Sequence, residues 1–315
     1  MTPFLELTQL GKSYDTEHGH YVIVKDFNLR VSEGEFVCII GHSGCGKSTV
    51  LSITMGLNEA SEGGVIIAGK EVVGPGLDRG VVFQSPALLP WLTARENVLL
   101  AVEQVDGKSS QRNRCEIADK YLVLVGLSDI ADCYPEELSA GMRQRVGIAR
   151  AFALEPKVLL LDEPFSLLDV ITRMELQDEL MRLWEKERKT VLMVTHDVDE
   201  ALLLADRIVM MTKGPAATVG EIVTVPFERP RERLTITDDA LYQRTRARLI
   251  DFLEERADHG QATTAAHTVN QPAPEELFII EKYTGFNRFR KKYRTPHGAV
   301  EEPSDNLRRP PAKAL

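Results

Sequence analysis

Gly41-His42-Ser43-Gly44-Cys45-Gly46-Lys47-Ser48-Thr49 decides how the rest of the chain is read. An apolar run, Phe36-Val37-Cys38-Ile39-Ile40, precedes it and reads as a buried strand. Thr49-Val50-Leu51-Ser52-Ile53 follows and can continue as a helix. A glycine-rich turn between strand and helix lets main-chain N–H groups point inward and cradle phosphate oxygens. The helix behind it aims its positive end at the same anion. In this setting Lys47 reaches the β- and γ-phosphates of a nucleotide, and the Ser48 hydroxyl ligates Mg²⁺. Gly41, His42, Ser43, Gly44, Cys45, Gly46, Lys47, Ser48 and Thr49 are therefore candidate ATP-binding residues. Cys45, beside a helix N-terminus, is expected to favour its thiolate. A maleimide should then inactivate the protein, and ATP should protect it.

The next carboxylates outward sharpen this. Val158-Leu159-Leu160-Leu161 reads as a second buried strand, and it delivers Asp162-Glu163-Pro164 at its C-terminal end. Asp162 can hold Mg²⁺ through water. Glu163 then stands where a carboxylate polarises an attacking water. Val191-Leu192-Met193-Val194 and Ile208-Val209-Met210-Met211 are further apolar strands, with a helical stretch over Asp197–Leu204 between them. A helix over Thr172–Arg188 carries Leu176, Leu180, Leu183 and Trp184 on one face. Apolar strands alternating with helices predict an α/β chain with a mostly parallel sheet covered on both faces.

Upstream, Leu5-Glu6-Leu7 and Phe27-Asn28-Leu29-Arg30-Val31 alternate apolar and polar residues and predict antiparallel strands. Gly63–Gly69 and Val81-Val82-Phe83 are shorter strands, the latter ending at Gln84. Thr93–Leu127 is mostly helical, with a polar interruption at Asp106–Asn113. After Glu221 the character changes. Val225–Arg231 reads as extended, and Asp238–Arg256 as a charged helix with Leu241, Leu249 and Phe252 as its apolar marks. Residues 258–274 read as a linker, Glu275–Tyr283 as one more short helix, and Gly298–Leu315 as disordered. The basic aromatic stretch Phe286–Arg294 suits anionic lipid headgroups, RNA or plain solvent.

Composition sets bounds. The 315 residues are 43% apolar and 27% charged, ordinary for a globular chain with a sizeable core. A net charge of −9 argues against nucleic acid as a partner. Cys38, Cys45, Cys115 and Cys133 have no paired Cys-x-x-Cys spacing and read as reduced thiols. No signal peptide is expected. No apolar run approaches the ~20 residues of a membrane span, so a membrane role must come through a partner.

Leu138-Ser139-Ala140-Gly141-Met142-Arg143-Gln144-Arg145 closely precedes Ile148-Ala149-Arg150-Ala151. Over residues 4 to about 225 the chain resembles the ATP-binding cassette (ABC) ATPases, whose signature reads Leu-Ser-Gly-Gly-Gln. Gln84 resembles the family's Q-loop glutamine, Ser166-Leu167-Leu168-Asp169 its D-loop, Thr195-His196-Asp197 its switch histidine, and Tyr14 its adenine-stacking aromatic. Ala140 and Met142 depart from the signature. Ala140 keeps its N–H, so a phosphate contact survives if its φ is negative, while Met142 loses an amide donor, so slowed or altered hydrolysis, not loss, is expected. The resemblance implies a P-loop NTPase fold of ABC type. It has an N-terminal antiparallel β subdomain, a mostly parallel core sheet and a helical subdomain over about 88–155. The ATPase domain is expected over 1–235, a C-terminal helix over 236–257, and a linker and flexible tail over 258–315. It also implies a shared site. Lys47, Gln84, Glu163 and His196 would act on one ATP, with Mg²⁺ on Ser48, Gln84 and Asp162. Ser139 and Gly141 of a second ATPase subunit, a copy or a paralogue, would close it.

The segment Leu88-Leu89-Pro90-Trp91-Leu92-Thr93, with Glu96-Asn97-Val98, resembles the nitrate/sulfonate/taurine importer group. Trp91 and Leu92 read either as groove for a permease helix or as core. Asp197–Thr212, Gly214-Pro215-Ala216 and Val219–Ile222 resemble nitrate and bicarbonate importer ATPases. The resemblance implies ATP-driven import of a small anion, nitrate first, with bicarbonate, cyanate, taurine and sulfonates behind it. Expected partners are membrane permease subunits and, through the complex, a periplasmic or lipoprotein solute-binding protein. The subunit would lie peripherally on the cytoplasmic face of the inner membrane. Non-transport cassettes of DNA repair or translation are the rival class. They need a coiled-coil insertion or a second cassette, and neither is in this sequence.

Overall fold

The computed structural model describes residues 3–16, 19–105 and 110–258. The expectations for the tail, Asp258 aside, lie outside the described residues.

Two strands open the chain, β1 (Leu5–Thr16) and β2 (Gly19–Val31). Then come β3 (Phe36–Ile40), α1 (Lys47–Met55), β4 (Glu62–Ile67), β5 (Lys70–Glu71) and β6 (Arg79–Val82). Three helices follow, α2 (Ala94–Val105), α3 (Gln111–Leu124) and α4 (Ala140–Ala153). The chain continues with β7 (Val158–Asp162), α5 (Val170–Glu187), β8 (Thr190–Val194), α6 (Val198–Leu204) and β9 (Arg207–Met211). β10 (Val219–Thr224), α7 (Arg233–Thr237) and α8 (Ala240–Asp258) complete it.

β2-β1-β4-β5 form an antiparallel sheet, and β10-β9-β3-β8-β7-β6 a larger one. The larger sheet is parallel from β9 to β6, with β10 antiparallel on its edge. Its central strands β9, β3, β8 and β7 are buried on both faces, and the period of two divides their side chains between two cores. Phe36, Cys38 and Ile40 join Leu159, Leu161, Val191, Met193, Ile208 and Met210 on the side of α2 to α6. Val37 and Ile39 join Val158, Leu160, Leu192, Val194, Val209 and Met211 on the side of α1 and the antiparallel sheet. α5 buries Leu176, Leu180, Leu183 and Trp184 as its periodicity predicts, together with one polar residue, Gln177. Trp184 meets Phe36 edge-to-face at 5.7 Å.

The segment before α2 is knotted by one side chain. Asn97, fully buried, accepts from Leu89 N and donates to the carbonyls of Leu89, Leu92 and Thr93. Leu92 is core at 2% exposed, while Trp91 stands 42% exposed. The core reading therefore holds for Leu92 and not for Trp91.

The C-terminal region adds two elements that the sequence reading did not name and corrects one residue. β10 spans the point where the character of the sequence changes and adds to the edge of the sheet. A short helix, α7, follows the extended segment. In α8 Leu249 is buried and Phe252 packs on the core as expected, but Leu241 is exposed, and Tyr242 and Thr245 face inward in its place.

Candidate functional site

Order in the sheet places the chemistry. β3, β8 and β7 are neighbours, and each ends at the same edge. β3 runs into the 41–49 loop, β8 into Thr195-His196-Asp197, and β7 into Asp162-Glu163. The ladder continues one step past the strands: Thr195 N donates to Ile39 O at 3.1 Å and Glu163 N to Val194 O at 3.0 Å. Three strand ends therefore converge on one crevice, where open α/β sheets take their ligands.

The loop needs its glycines at identifiable points. Gly46, which caps α1, has φ +101°, and a Cβ there would come within 2.8 Å of Val24 Cγ2 and 2.9 Å of Ile23 Cγ2. Lys47 is 5% exposed and donates to the carbonyls of Gly41 at 2.9 Å and His42 at 2.8 Å. The ammonium is thus curled back onto the carbonyls at the start of its own loop. Ser43, Gly44 and Ser48 are exposed, and Thr49 is half-buried. His42 Nδ1 is buried without a protein partner.

Cys45 corrects the expectation of an exposed, reactive thiolate. Its side chain is 2% exposed and packs into the core on the α1 side. Burial pushes the thiol pKa up, and the nearby Lys47 charge and main-chain N–H groups only partly offset that. The loop here offers main chain, and the sulfur fills the space beneath it. All four cysteines are free thiols.

Ser48 Oγ donates to Asp162 Oδ1 at 3.0 Å. Burial raises the Asp162 carboxyl above its usual range, and the neighbouring Glu163 charge adds to this, against the Ser48 hydrogen bond. A hydroxyl and a buried carboxylate in contact form a hard-oxygen pair, which suits Mg²⁺. A cation between them would also relieve the cost of burying Asp162. Glu163 adopts φ +43°, a left-handed conformation unusual outside glycine. Such strain persists where the surroundings over-determine it, often at functional sites. It turns the Glu163 carboxylate to 3.3 Å from His196 Nδ1.

Gln84 Nε2 donates to Ser166 Oγ at 3.0 Å, and Ser166 Oγ to Glu163 O at 3.0 Å. Gln84 is thus linked through Ser166 to the main-chain carbonyl of Glu163. The small hollow at this place is lined by Glu163, Ser166, Arg173, Thr195, His196, Asp197 and Glu200. Ser166 opens the stretch read as the D-loop, whereas Arg173 and Glu200 were not singled out from the sequence. Nothing local marks Arg173 and Glu200, because their neighbours here come from other segments. Glu200 is buried, which pushes its carboxyl up to about 7 although Thr195 and Gln177 donate to it.

Tyr14 is 42% exposed on β1, with Lys12 Nζ 4.8 Å from the ring centroid and Asn58 Nδ2 3.0 Å from its hydroxyl. Ser139 and Gly141 lie elsewhere. Among the described residues no hydrogen bond joins them to the 41–49 loop or to Asp162-Glu163. Ser139 is the N-cap of α4, and its Oγ accepts from Met142 N at 3.2 Å. Ala140 opens α4 and is not among the residues with positive φ, so its N–H is presented as a glycine's would be. Gly141 is required for a reason the sequence did not reveal: a Cβ there would come 2.3 Å from Thr172 Cγ2 on α5.

Residues 24–166 match the family model described as ABC transporter. The nitrate import ATP-binding protein NrtD of Synechococcus elongatus is 51% identical over 82% of this chain and 94% of its own length. The bicarbonate transport ATP-binding protein CmpD of a Synechocystis species is 52% identical over 82% of this chain and 92% of its own. Among solved structures, a dimeric ATP-binding cassette in a post-hydrolysis state, bound to ADP and Pi, superposes with a TM-score of 0.63. It is 34% identical, covering 71% of this chain and all of its own.

Proposed function

The chain belongs to the ABC transporter ATP-binding family, and from that premise we propose that it is the ATP-hydrolysing subunit of an importer for a small anion, nitrate first and bicarbonate second. The observation that carries this reading is the likeness to nitrate and bicarbonate transport proteins over nearly their whole lengths. Taurine and sulfonates rank behind, and a non-transport cassette last.

ATP is the substrate. The main-chain N–H groups of residues 41–49 cradle its phosphates, Lys47 neutralises them, and Tyr14 offers an exposed ring to the adenine. Ser48 and Asp162 would hold Mg²⁺, with Gln84 beside them, and the ion would supply charge neutralisation at the phosphate oxygens. Glu163 orients and deprotonates the attacking water. His196 steadies Glu163 and the γ-phosphate side of the site. Ser139 and Gly141 are remote from this half-site in one chain. They belong to the half-site of a second ATPase subunit, a copy or a paralogue, and the dimeric state of the superposed cassette supports that pairing. Residues 1–235 make the ATPase domain, with the helical part over about 88–155 presenting Trp91 to a membrane permease. A solute-binding protein completes the complex. No helix among the described residues is long and apolar enough to cross a membrane. This suits a subunit held peripherally at the cytoplasmic face.

The test is uptake. A strain lacking this chain should lose energised uptake of labelled nitrate and regain it with the wild-type chain. Unchanged nitrate uptake beside lost bicarbonate or taurine uptake reassigns the cargo. No loss for any of them removes the importer reading.

A further inference from the structure

His196 owes its position to its main chain. Its imidazole is 60% exposed and has Glu163 as its one charged partner among the described residues. It sits in a three-residue link between β8 and α6, and α6 has only seven residues, too few to persist by its own hydrogen bonds. The start of α6 is tied directly to the link: Asp197 Oδ1 accepts from Asp199 N at 2.9 Å and Glu200 N at 3.1 Å, and Asp197 N donates to Thr195 Oγ1 at 3.1 Å.

The C-terminal elements fasten that first turn. Asp199 accepts from Tyr242 Oη at 2.8 Å and from Arg246 Nε and Nη2 at 2.7 and 3.1 Å. Burial would raise the Asp199 carboxyl, but these hydrogen bonds hold it below its usual range. Glu200 Oε1 accepts from Gln177 Nε2 at 2.7 Å, and Gln177 Oε1 accepts from Arg233 Nη2 at 2.9 Å. At the other end of α6, Arg231 donates to the carbonyls of Leu202, Leu203 and Ala205. Those bonds cap a helix end, as cations commonly do. The contacts of Tyr242, Arg246 and Arg233 are different in kind. They converge on two consecutive residues, Asp199 and Glu200, immediately behind the link that carries His196.

We infer that Arg233, Tyr242 and Arg246 are positioning residues for ATP hydrolysis: by holding the first turn of α6 they hold His196 opposite Glu163. The C-terminal segment is thereby part of the machinery of the site, although none of it lines the crevice. This inference rests on the proposed role of His196.

The experiment is steady-state ATP hydrolysis by the full-length chain, measured well below the melting temperature of each variant. Arg246→Ala and Tyr242→Phe should each lower kcat about three- to tenfold, on the scale of one or two lost hydrogen bonds. KM for ATP should stay unchanged, because Lys47 and its loop are untouched. Arg246→Lys should restore most of the rate. Tyr242→Phe removes one oxygen and keeps the packing, so it reports even if Arg246→Ala folds poorly. A lowered melting temperature with unchanged kcat in Tyr242→Phe and Arg246→Ala would show a merely structural clamp and overturn the inference. His196→Ala is assayed beside them. If it retains full turnover, the role of His196 falls and the inference with it. If it is inactive while the clamp variants are not, only the inference falls.

Discussion

Lys47 and His196 stand at two ends of one crevice and are held by opposite means. Lys47 is buried, and its ammonium bonds to carbonyls five and six residues before it. His196 is exposed and takes its place from a short helix braced by residues from Gln177 to Arg246. The loop end is a local object, determined by nine consecutive residues and the core beneath them. The switch end is a long-range object, correct only when α7 and α8 have docked. Damage to the loop should therefore appear in ATP binding, and damage at the other end in turnover.

Glu163→Gln should give the largest effect and bears on both ends, since Glu163 lies between Asp162 and His196. Removing a general base commonly costs about 10²- to 10⁴-fold, so turnover should fall by that order while ATP binding persists. Rapid-quench hydrolysis and nucleotide binding measured on one preparation check this. Turnover within a few-fold of wild type would place the base elsewhere.

Gly46→Ala tests the loop end alone. At φ +101° an alanine is strained, and its Cβ must displace Val24 and Ile23. Strain of this kind costs about 1–3 kcal/mol, equivalent to roughly 5- to 150-fold in affinity. ATP affinity should weaken by that range, with a lower melting temperature and a smaller change in turnover at saturation. Weaker turnover with unaltered affinity would break the contrast between the two ends.

This contrast also explains what the sequence could and could not disclose. Strand, loop and helix around Gly46 are adjacent in sequence, and Asp162-Glu163 ends its own apolar strand. Both therefore carry local signals. So does Asp197, whose carboxylate caps α6 directly after His196. Arg173 meets Asp197 across 24 residues and Gln177 meets Glu200 across 23, and no local pattern records such contacts. The same blindness hid the burial of Cys45, because the floor it fills belongs to other strands. It also made Leu241 look buried, since α8's own periodicity does not say which flank the sheet offers. Gly141 looked like a phosphate contact, yet within one chain its neighbour is Thr172, 31 positions away by residue number.

The smallest expected effect concerns the floor of the switch end. Glu200 is 5% exposed, and burial pushes its carboxyl from 4.5 up to about 7. Hydrogen bonds from Thr195 and Gln177 pull it down, Asp197 pushes it up, and Arg173 pulls it down. Between those two values the folded chain holds a proton that the unfolded chain has released. Stability from this group is therefore full below 4.5 and declines as pH rises through 7. Glu200→Gln stays neutral throughout and keeps an acceptor for Gln177 Nε2. Melting temperatures from pH 5 to 8 should fall more for wild type than for the variant, with the two nearly equal at pH 5. Parallel curves would mean that Glu200 ionises freely. Water would then reach the underside of α6, and the switch end would be looser than its hydrogen bonds imply. A flatter curve for the variant would show that α6 rests on a dry, neutral floor, as the loop end rests on Cys45.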